Sequence, residues 1–286
     1  MAIVPIQEML IFLDELGADA SDQAAISGIL AATESFVSTY CRRVFESTSY
    51  TLERYNGRGF QIINLRQYPI TAVDRVATGT RNVMTVTNTN TGTSASVSVT
   101  STGLRLVLDG TADETVLFAT YATIALVIAA INALGNGWSA TISSSDYSSF
   151  KSTDIIQQSA SGCINNVAVY LSIPDTGEPE VNVDFERGQI MLTGGFYKGF
   201  RNVFVDYTAG YTAANMPEDL KLAVKIIVQF IWEKREQGLF GIDLYNLGAS
   251  GATGLRVVFE KGSIMPKEAE LILSNYRRFL IGVAYD

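Results

Sequence analysis

Carboxylates are the main source of potential chemistry in this sequence, because its 286 residues include no histidine. Without imidazole there can be no Ser-His-Asp or Cys-His nucleophile system and no His-ligated zinc site. Asp184, Glu186 and Asp206 could instead serve a metal-dependent hydrolase or nuclease. Glu178 and Glu180 join Asp184 and Glu186 in an acidic cluster that could bind a divalent cation. We prefer to interpret the cluster as a solvated strand edge, since charged residues there discourage aggregation.

Two glycine-rich segments and two cysteines give weaker signals. Residues 135–140 have the Gly-x-Gly-x-x-Ala spacing of a dinucleotide fingerprint, but a predicted helix precedes them and a strand follows, the reverse of the required order. Residues 248–254 lack the Lys-Ser/Thr pair of a phosphate-binding loop. Cys41 and Cys163 are far apart in sequence, so two buried thiols are favoured over a disulfide or a metal site. The sequence therefore predicts a protein without cofactor, metal or catalytic residues.

The composition predicts a folded, acidic protein. Apolar residues make up 47% and charged residues 17% of the chain, which is not the composition of a disordered segment. There are 21 basic and 29 acidic residues, for a net charge of −8. This balance argues against a protein that binds nucleic acid by neutralising its phosphates. The chain starts without a signal-peptide pattern, and its longest apolar run, 124–131, is too short to span a bilayer. We therefore expect synthesis in the cytoplasm and no membrane partner.

The two ends of the chain predict one α+β domain. Apolar residues at helical spacing predict two helices near the N-terminus, and two prolines begin helices near the C-terminus. Residues 48–65 predict a β-hairpin that turns at Asn56-Gly57. We interpret residues 1–79 and 186–286 as the halves of one helical core domain with short β-hairpins.

The middle zone, residues 80–185, has a different character. It holds 29 Ser or Thr residues, nine acidic residues and only three basic ones, so it accounts for most of the excess negative charge. Alternating apolar residues predict strands, and one amphipathic helix is predicted near 121–134. We interpret this zone as a Ser/Thr-rich, β-rich α+β module inserted into the core domain.

The order and spacing of several segments outside the middle zone resemble one protein family. Each segment by itself shows only an ordinary helix or strand pattern, and the likeness that they outline extends over the flanking zones. They are 34–36 (ESF) leading to 40–45 (YCRRVF), 50–65, 68–73 (YPITAV), 205–211 (VDYTAGY), 217–224 (PEDLKLAV) and the helix at 266–279. In this order they resemble the head–tail connector proteins of tailed bacteriophages, also called adaptor or head-completion proteins.

The resemblance implies a structural protein of the phage neck and not an enzyme. It implies a ring, typically of twelve copies, that docks on the portal ring and extends its DNA channel toward tail, stopper or nozzle proteins. Genomic DNA would pass through the channel without specific binding, and the protein would be found in the virion after synthesis in the bacterial cytoplasm.

The C-terminal helix is the portal-docking element that the resemblance implies. Its expected docking residues are Leu271, Tyr276, Arg277, Arg278 and Phe279. Aromatic residues next to arginine are typical of interfaces, but the same aromatic residues could pack on their own domain. Two other classes also stay open: the carboxylate-based hydrolase or nuclease, and a surface adhesin, which the Ser/Thr-rich zone suggests.

Overall fold

The computed structural model describes residues 3–92, 94–110, 112–175, 181–236, 244–247, 255–258 and 265–278. Within them, helices and antiparallel sheets are both abundant, which confirms the predicted α+β class. Among the residues described, no helix is long and apolar enough to cross a membrane.

The elements follow one another in this order along the chain. The helices are α1 (Ile6–Phe12), α2 (Ala20–Cys41), α3 (Ile124–Ala133), α4 (Glu218–Glu236) and α5 (Lys267–Ser274). The first strands are β1 (Thr48–Gly57), β2 (Ile62–Asn64), β3 (Ile70–Thr78), β4 (Thr80–Asn88), β5 (Ala95–Val99), β6 (Gly103–Leu108), β7 (Ala112–Leu117) and β8 (Trp138–Ile142). The later strands are β9 (Gln158–Gly162), β10 (Val169–Pro174), β11 (Val181–Asp184), β12 (Gln189–Leu192), β13 (Gly199–Ala209), β14 (Leu244–Leu247) and β15 (Leu255–Val258).

Helices α1, α2, α4 and α5 share one apolar core. The Asp19 carboxylate begins α2 by accepting hydrogen bonds from the backbone N–H groups of Ser21 and Asp22, at 2.8 and 2.9 Å. Arg42 ends it in the left-handed conformation, with φ of 57°. The core between the helices is mostly aliphatic and includes the aromatic side chains of Phe45 and Trp232. The helical layer therefore buries its own apolar stripe instead of covering a sheet.

Two three-stranded sheets and the two-stranded antiparallel sheet β14-β15 complete the described part of the fold that flanks the middle zone. The strand orders of the three-stranded sheets are β1-β13-β3 and β11-β12-β2, all antiparallel. The predicted hairpin at 48–65 is wrong, because β1 pairs with β13 and β2 pairs with β12. The Asn56-Gly57 turn signal is local, whereas β13 buries Val203, Val205 and Tyr207 at the centre of its sheet. This long-range burial outweighs the turn propensity.

Residues 80–175 pack around a separate core. Sheets β10-β4-β8 and β7-β6-β5-β9 enclose it together with α3, and all its buried residues lie between Val83 and Ile173. The two ends of this segment meet, since Thr80 pairs with Pro174 and the Asp175 N–H donates to the Gly79 carbonyl at 3.0 Å. Strand β11 falls within the predicted limit of 185, but it pairs with β12 in the flanking sheet.

Candidate functional site

Helix α5 lies across α2 and α4, with one face buried and one face open. Ala269 and Leu273 are fully buried in the helical core. The Cys41 thiol at the end of α2 donates to the Leu273 carbonyl at 3.7 Å. Leu271 points away from this contact, and 73% of its surface is exposed. The helix is therefore held by its own domain while it presents one large aliphatic side chain to solvent.

Tyr276, one of the expected docking residues, makes its contacts with its own chain. Its hydroxyl donates to the Asp219 carboxylate at 2.5 Å, at the start of α4. Its ring meets the Phe45 ring edge to face, with 6.0 Å between centroids. Burial raises the pKa of Tyr276, and the Asp219 charge adds to the shift. The structure thus gives Tyr276 the intradomain role that the sequence left as an alternative.

The two arginines that follow differ in their surroundings. The exposed Arg277 guanidinium lies 5.2 Å from the centroid of the Tyr40 ring. The half-buried Arg278 donates its backbone N–H to the Cys41 carbonyl at 2.9 Å. Phe279 lies outside the described residues. Leu271 and Arg277 are therefore the expected docking residues whose side chains are most open to a partner.

Three of the segments that carry the family resemblance meet at one junction. The buried Arg43 guanidinium stacks on the Tyr68 ring at 3.9 Å and donates to the Tyr68 carbonyl. The Gly210 N–H donates to the Pro69 carbonyl at 2.9 Å, and the Tyr211 N–H donates to the Phe45 carbonyl at 2.7 Å. Segments 40–45, 68–73 and 205–211 therefore connect the helical layer to the first sheet.

Gly210 shows why this junction requires glycine. Its φ is +107°, and a Cβ atom added there would lie 2.4 Å from the Glu46 carbonyl oxygen. Only glycine adopts this conformation without strain and permits the close backbone approach.

The carboxylates singled out in the sequence do not converge. Asp206 forms an ion pair with Arg75 at 2.7 Å and accepts the Leu52 N–H at 2.6 Å. Asp184 accepts the Arg187 N–H at 3.0 Å on a different sheet. Among the residues described, no three His, Cys, Asp or Glu side chains form a group that could hold a metal ion. Glu178 and Glu180 lie outside those residues.

The cysteines are the buried thiols that the sequence predicts. Cys41 lies in the helical core and Cys163 in the core of the middle zone, and neither forms a disulfide. Burial raises the pKa of each thiol to about 11. Both are therefore protonated and unreactive at neutral pH.

A cluster that the sequence analysis missed lies where β1 ends and β13 begins. We call it the β-tip; its residues are Arg58, Phe60, Tyr197, Lys198, Phe200 and Arg201. Segments 57–60 and 196–201 meet there through hydrogen bonds between the backbones of Gly59, Phe60 and Phe196, at 2.8 and 2.9 Å. The cluster of aromatic and basic residues in 196–201 (FYKGFR) is the sequence signal that could have revealed it.

Comparison with known proteins confirms the predicted resemblance. Residues 140–279, just under half of the chain, match the family described as "Head completion protein". The match begins in β8 and runs through α4 and α5. No curated protein sequence matches the chain.

Two solved structures align along almost the whole chain at low similarity. One is described as the neck of an empty GTA particle computed with C6 symmetry, with 15% identity and a TM-score of 0.38. The other is the virion of a native gene transfer agent particle, with 15% identity and a TM-score of 0.32. Each alignment covers 98% of this chain and 93% of the other.

Proposed function

We propose that the protein is an adaptor of the phage neck. Copies of the chain assemble into a ring by surface docking, and the ring sits on the portal, extends its DNA channel and offers a surface for tail attachment. The match of residues 140–279 to head completion proteins carries this proposal. The portal ring and the tail, stopper or nozzle proteins are its proposed partners, and the proposed ring has twelve copies.

The charge of the chain is compatible with a DNA conduit. A net charge of −8 disfavours tight binding of phosphate, so DNA can slide past without a bound state to escape. The candidate catalytic carboxylate Asp206 is committed to an ion pair with Arg75. These features support a structural role over a nuclease role.

We infer that α5 contributes the portal contact through Leu271 and Arg277. The helix is anchored by the buried Leu273 and by the Tyr276 hydroxyl on Asp219, so little conformational entropy is lost when it docks. An exposed aliphatic side chain beside an exposed arginine suits an interface anchor with a charged rim. This assignment narrows the docking set expected from the sequence.

We further infer that residues 80–175 form a separate domain inserted into the adaptor core. Their apolar core contains no residue from the flanking segments, and their two ends lie side by side. Domain insertion is tolerated where the ends of the guest segment are close together.

Electron microscopy of the protein mixed with the portal ring of the same phage tests the proposed function. We expect a ring of this protein on one end of the portal. Leu271→Asp should weaken portal binding about tenfold or more, as truncation of a central anchor does. Leu126→Asp is the matched control, because Leu126 is a half-exposed leucine on α3 in the middle zone.

Two outcomes separate the parts of this proposal. Wild-type protein that never associates with the portal would show that the adaptor function is wrong. Wild-type binding that Leu271→Asp leaves unchanged would show only that α5 is not the docking element.

A further inference from the structure

The β-tip exposes aromatic side chains to an unusual degree. Tyr197 and Phe200 are 79% and 77% exposed, the highest values among the large apolar side chains of the described residues, and Phe60 is 68% exposed. Ile62 and Met191, paired across β2 and β12, extend the apolar surface along the sheet. Contiguous exposed apolar surface of this kind marks an interaction site.

The backbone beneath these rings is rigidly built. The Asn202 side chain accepts the Gly57 N–H at 2.8 Å and donates to the Tyr197 carbonyl at 2.9 Å. A Cβ atom at Gly57 would lie 1.9 Å from the Tyr197 carbonyl oxygen, so the two segments are in close contact. The rings are therefore presented on a fixed scaffold, which lowers the entropy cost of docking.

The charge of the β-tip is opposite to that of the chain as a whole. Arg58, Lys198 and Arg201 are all exposed there, in a protein of net charge −8. Within the described part of the chain, Lys198 forms no ion pair, and Arg201 lies 5.8 Å from the centroid of the Phe200 ring. A complementary partner surface must combine acidic groups with exposed aliphatic side chains.

Such a surface is present on the same chain, at the turn between α1 and α2. We call it the α-turn; it comprises Ile11, Asp14, Glu15 and Leu16. Ile11 and Leu16 are each 62% exposed. Asp14 and Glu15 form no ion pair within the part of the chain that the structure describes, whereas Glu8 and Asp22 nearby are paired with Lys225 and Arg235. The α-turn therefore offers uncompensated negative charge next to aliphatic surface.

We propose that the β-tip of one copy docks on the α-turn of the next copy. This inference rests on the proposed function, because it names the contact between neighbouring subunits of the ring. The two surfaces share no residue, so the contact is head to tail and can repeat around a closed ring. Opposite charges steer the two copies and fix their register, while the rings of Tyr197 and Phe200 cover Ile11 and Leu16. Duplex DNA would satisfy the charges but would leave these rings without an apolar partner.

Disulfide trapping tests this contact directly. The native cysteines are buried, so new surface cysteines react alone. Under mild oxidation, Leu16→Cys mixed with Tyr197→Cys should form covalent dimers about tenfold faster than either variant alone, because docking raises the local thiol concentration. Leu16→Cys mixed with Val167→Cys is the control, since Val167 is also an exposed apolar side chain, at 55%, but lies in the middle zone, outside both proposed surfaces. Trapping is measured in the free protein and after addition of portal rings.

A charge exchange provides a second measurement. Lys198→Glu with Arg201→Asp reverses the charge of the β-tip, and Asp14→Asn with Glu15→Lys reverses the charge of the α-turn. Arg201 and Asp14 have φ values of 50° and 60°, and Asp or Asn tolerates this left-handed conformation. The β-tip reversal is combined with Tyr197→Cys and the α-turn reversal with Leu16→Cys. When only one of the two cysteine variants carries its charge reversal, the mixture should lose the tenfold acceleration. A mixture of the two reversed variants should recover it, because contacts between the two different variants are again complementary.

Each outcome decides the proposal. Acceleration in the Leu16–Tyr197 mixture and recovery on charge exchange support it. The proposal is overturned if the Leu16–Val167 control mixture forms covalent dimers as fast as the Leu16–Tyr197 mixture, in both the free and the portal-bound protein. It is also overturned if Leu16→Cys alone forms dimers as fast as the Leu16–Tyr197 mixture. Binding of a duplex DNA probe that the reversed β-tip abolishes, without any trapping, would assign the β-tip to DNA instead. Rings that form on the portal without trapping would leave the proposed function standing and reject this contact. Trapping without portal binding would support this contact and reject the proposed function.

Discussion

Arg75 and Asp154 join the flanking sheet to the middle zone through an ion pair of 2.8 Å. The same guanidinium binds Asp206 on β13 at 2.7 Å, so one arginine holds two carboxylates from different parts of the chain. All three side chains are less than 20% exposed. Burial by itself would lower the pKa of Arg75, but the hydrogen bonds and charges of Asp154 and Asp206 outweigh it and raise the pKa. The network therefore ties the flanking sheet to the middle zone.

Arg75→Ala should destabilise the protein by about 2–4 kcal/mol, because it leaves two partly buried carboxylates without their cation. Asp154→Asn should cost less, about 1 kcal/mol, since Arg75 keeps Asp206. Urea unfolding measures both changes. Arg81→Ala is the control: its pair with Asp175 is more exposed, at 33% and 40%, and should contribute less than about 1 kcal/mol. Equal losses for Arg75→Ala and Arg81→Ala would contradict the proposed joint.

Removal of the middle zone should leave a folded adaptor core. The Asp175 N–H and the Gly79 carbonyl oxygen are 3.0 Å apart, so a short Gly/Ser linker can replace residues 80–174 without strain. We expect a soluble protein that keeps the helical circular dichroism of α2 and α4 and unfolds cooperatively. Strand β11 must be retained, because it pairs with β12. An aggregated product with no cooperative transition would show that the two cores do not fold independently.

The Tyr276–Asp219 hydrogen bond should make stability fall at alkaline pH. The folded-state pKa of Tyr276 is raised above its ordinary value near 10, chiefly by burial and then by Asp219. The folded state therefore holds this proton more tightly than the unfolded state, and the contribution is fully present below pH 10 and is lost as the pH rises further. Tyr276→Phe should lower stability by about 1 kcal/mol at neutral pH and reduce the alkaline loss. Urea unfolding across pH measures both effects; an unchanged alkaline slope would argue against this assignment. Tyr50→Phe is the comparison for burial alone: burial raises the pKa of Tyr50 too, so this variant should also reduce the alkaline loss while leaving the Tyr276–Asp219 hydrogen bond intact.

Two glycine substitutions should act in opposite directions. Gly210→Ala should destabilise the protein by about 1–3 kcal/mol, because φ is +107° and the added methyl group meets the Glu46 carbonyl. Gly28→Ala should instead stabilise it by up to about 1 kcal/mol, because Gly28 lies within α2 with no atom near the added methyl group. Thermal unfolding of both variants checks the signs. A tolerated Gly210→Ala would mean that the junction is less tightly packed than described.

The sequence alone determined features that depend on near neighbours and on composition. Helices α2, α3 and α4 lie where apolar periodicity and end signals predict them, because a helix is specified by contacts three or four residues apart. The missing histidine excluded much chemistry, and the order of the motifs indicated the family that residues 140–279 match. None of these inferences needs to know which distant segments meet.

Only the tertiary structure decided which segments pair and which faces stay open. Asn56-Gly57 predicted a local hairpin, but β1 pairs with β13, more than 140 residues away in sequence. The same pairing assembles the β-tip, whereas the packing of α5 on α2 and α4 places Tyr276 against Asp219 and leaves Leu271 exposed. Pairing over such distances is selected by the total apolar surface buried, which no short pattern encodes. A local signal is therefore overruled wherever a distant strand buries more.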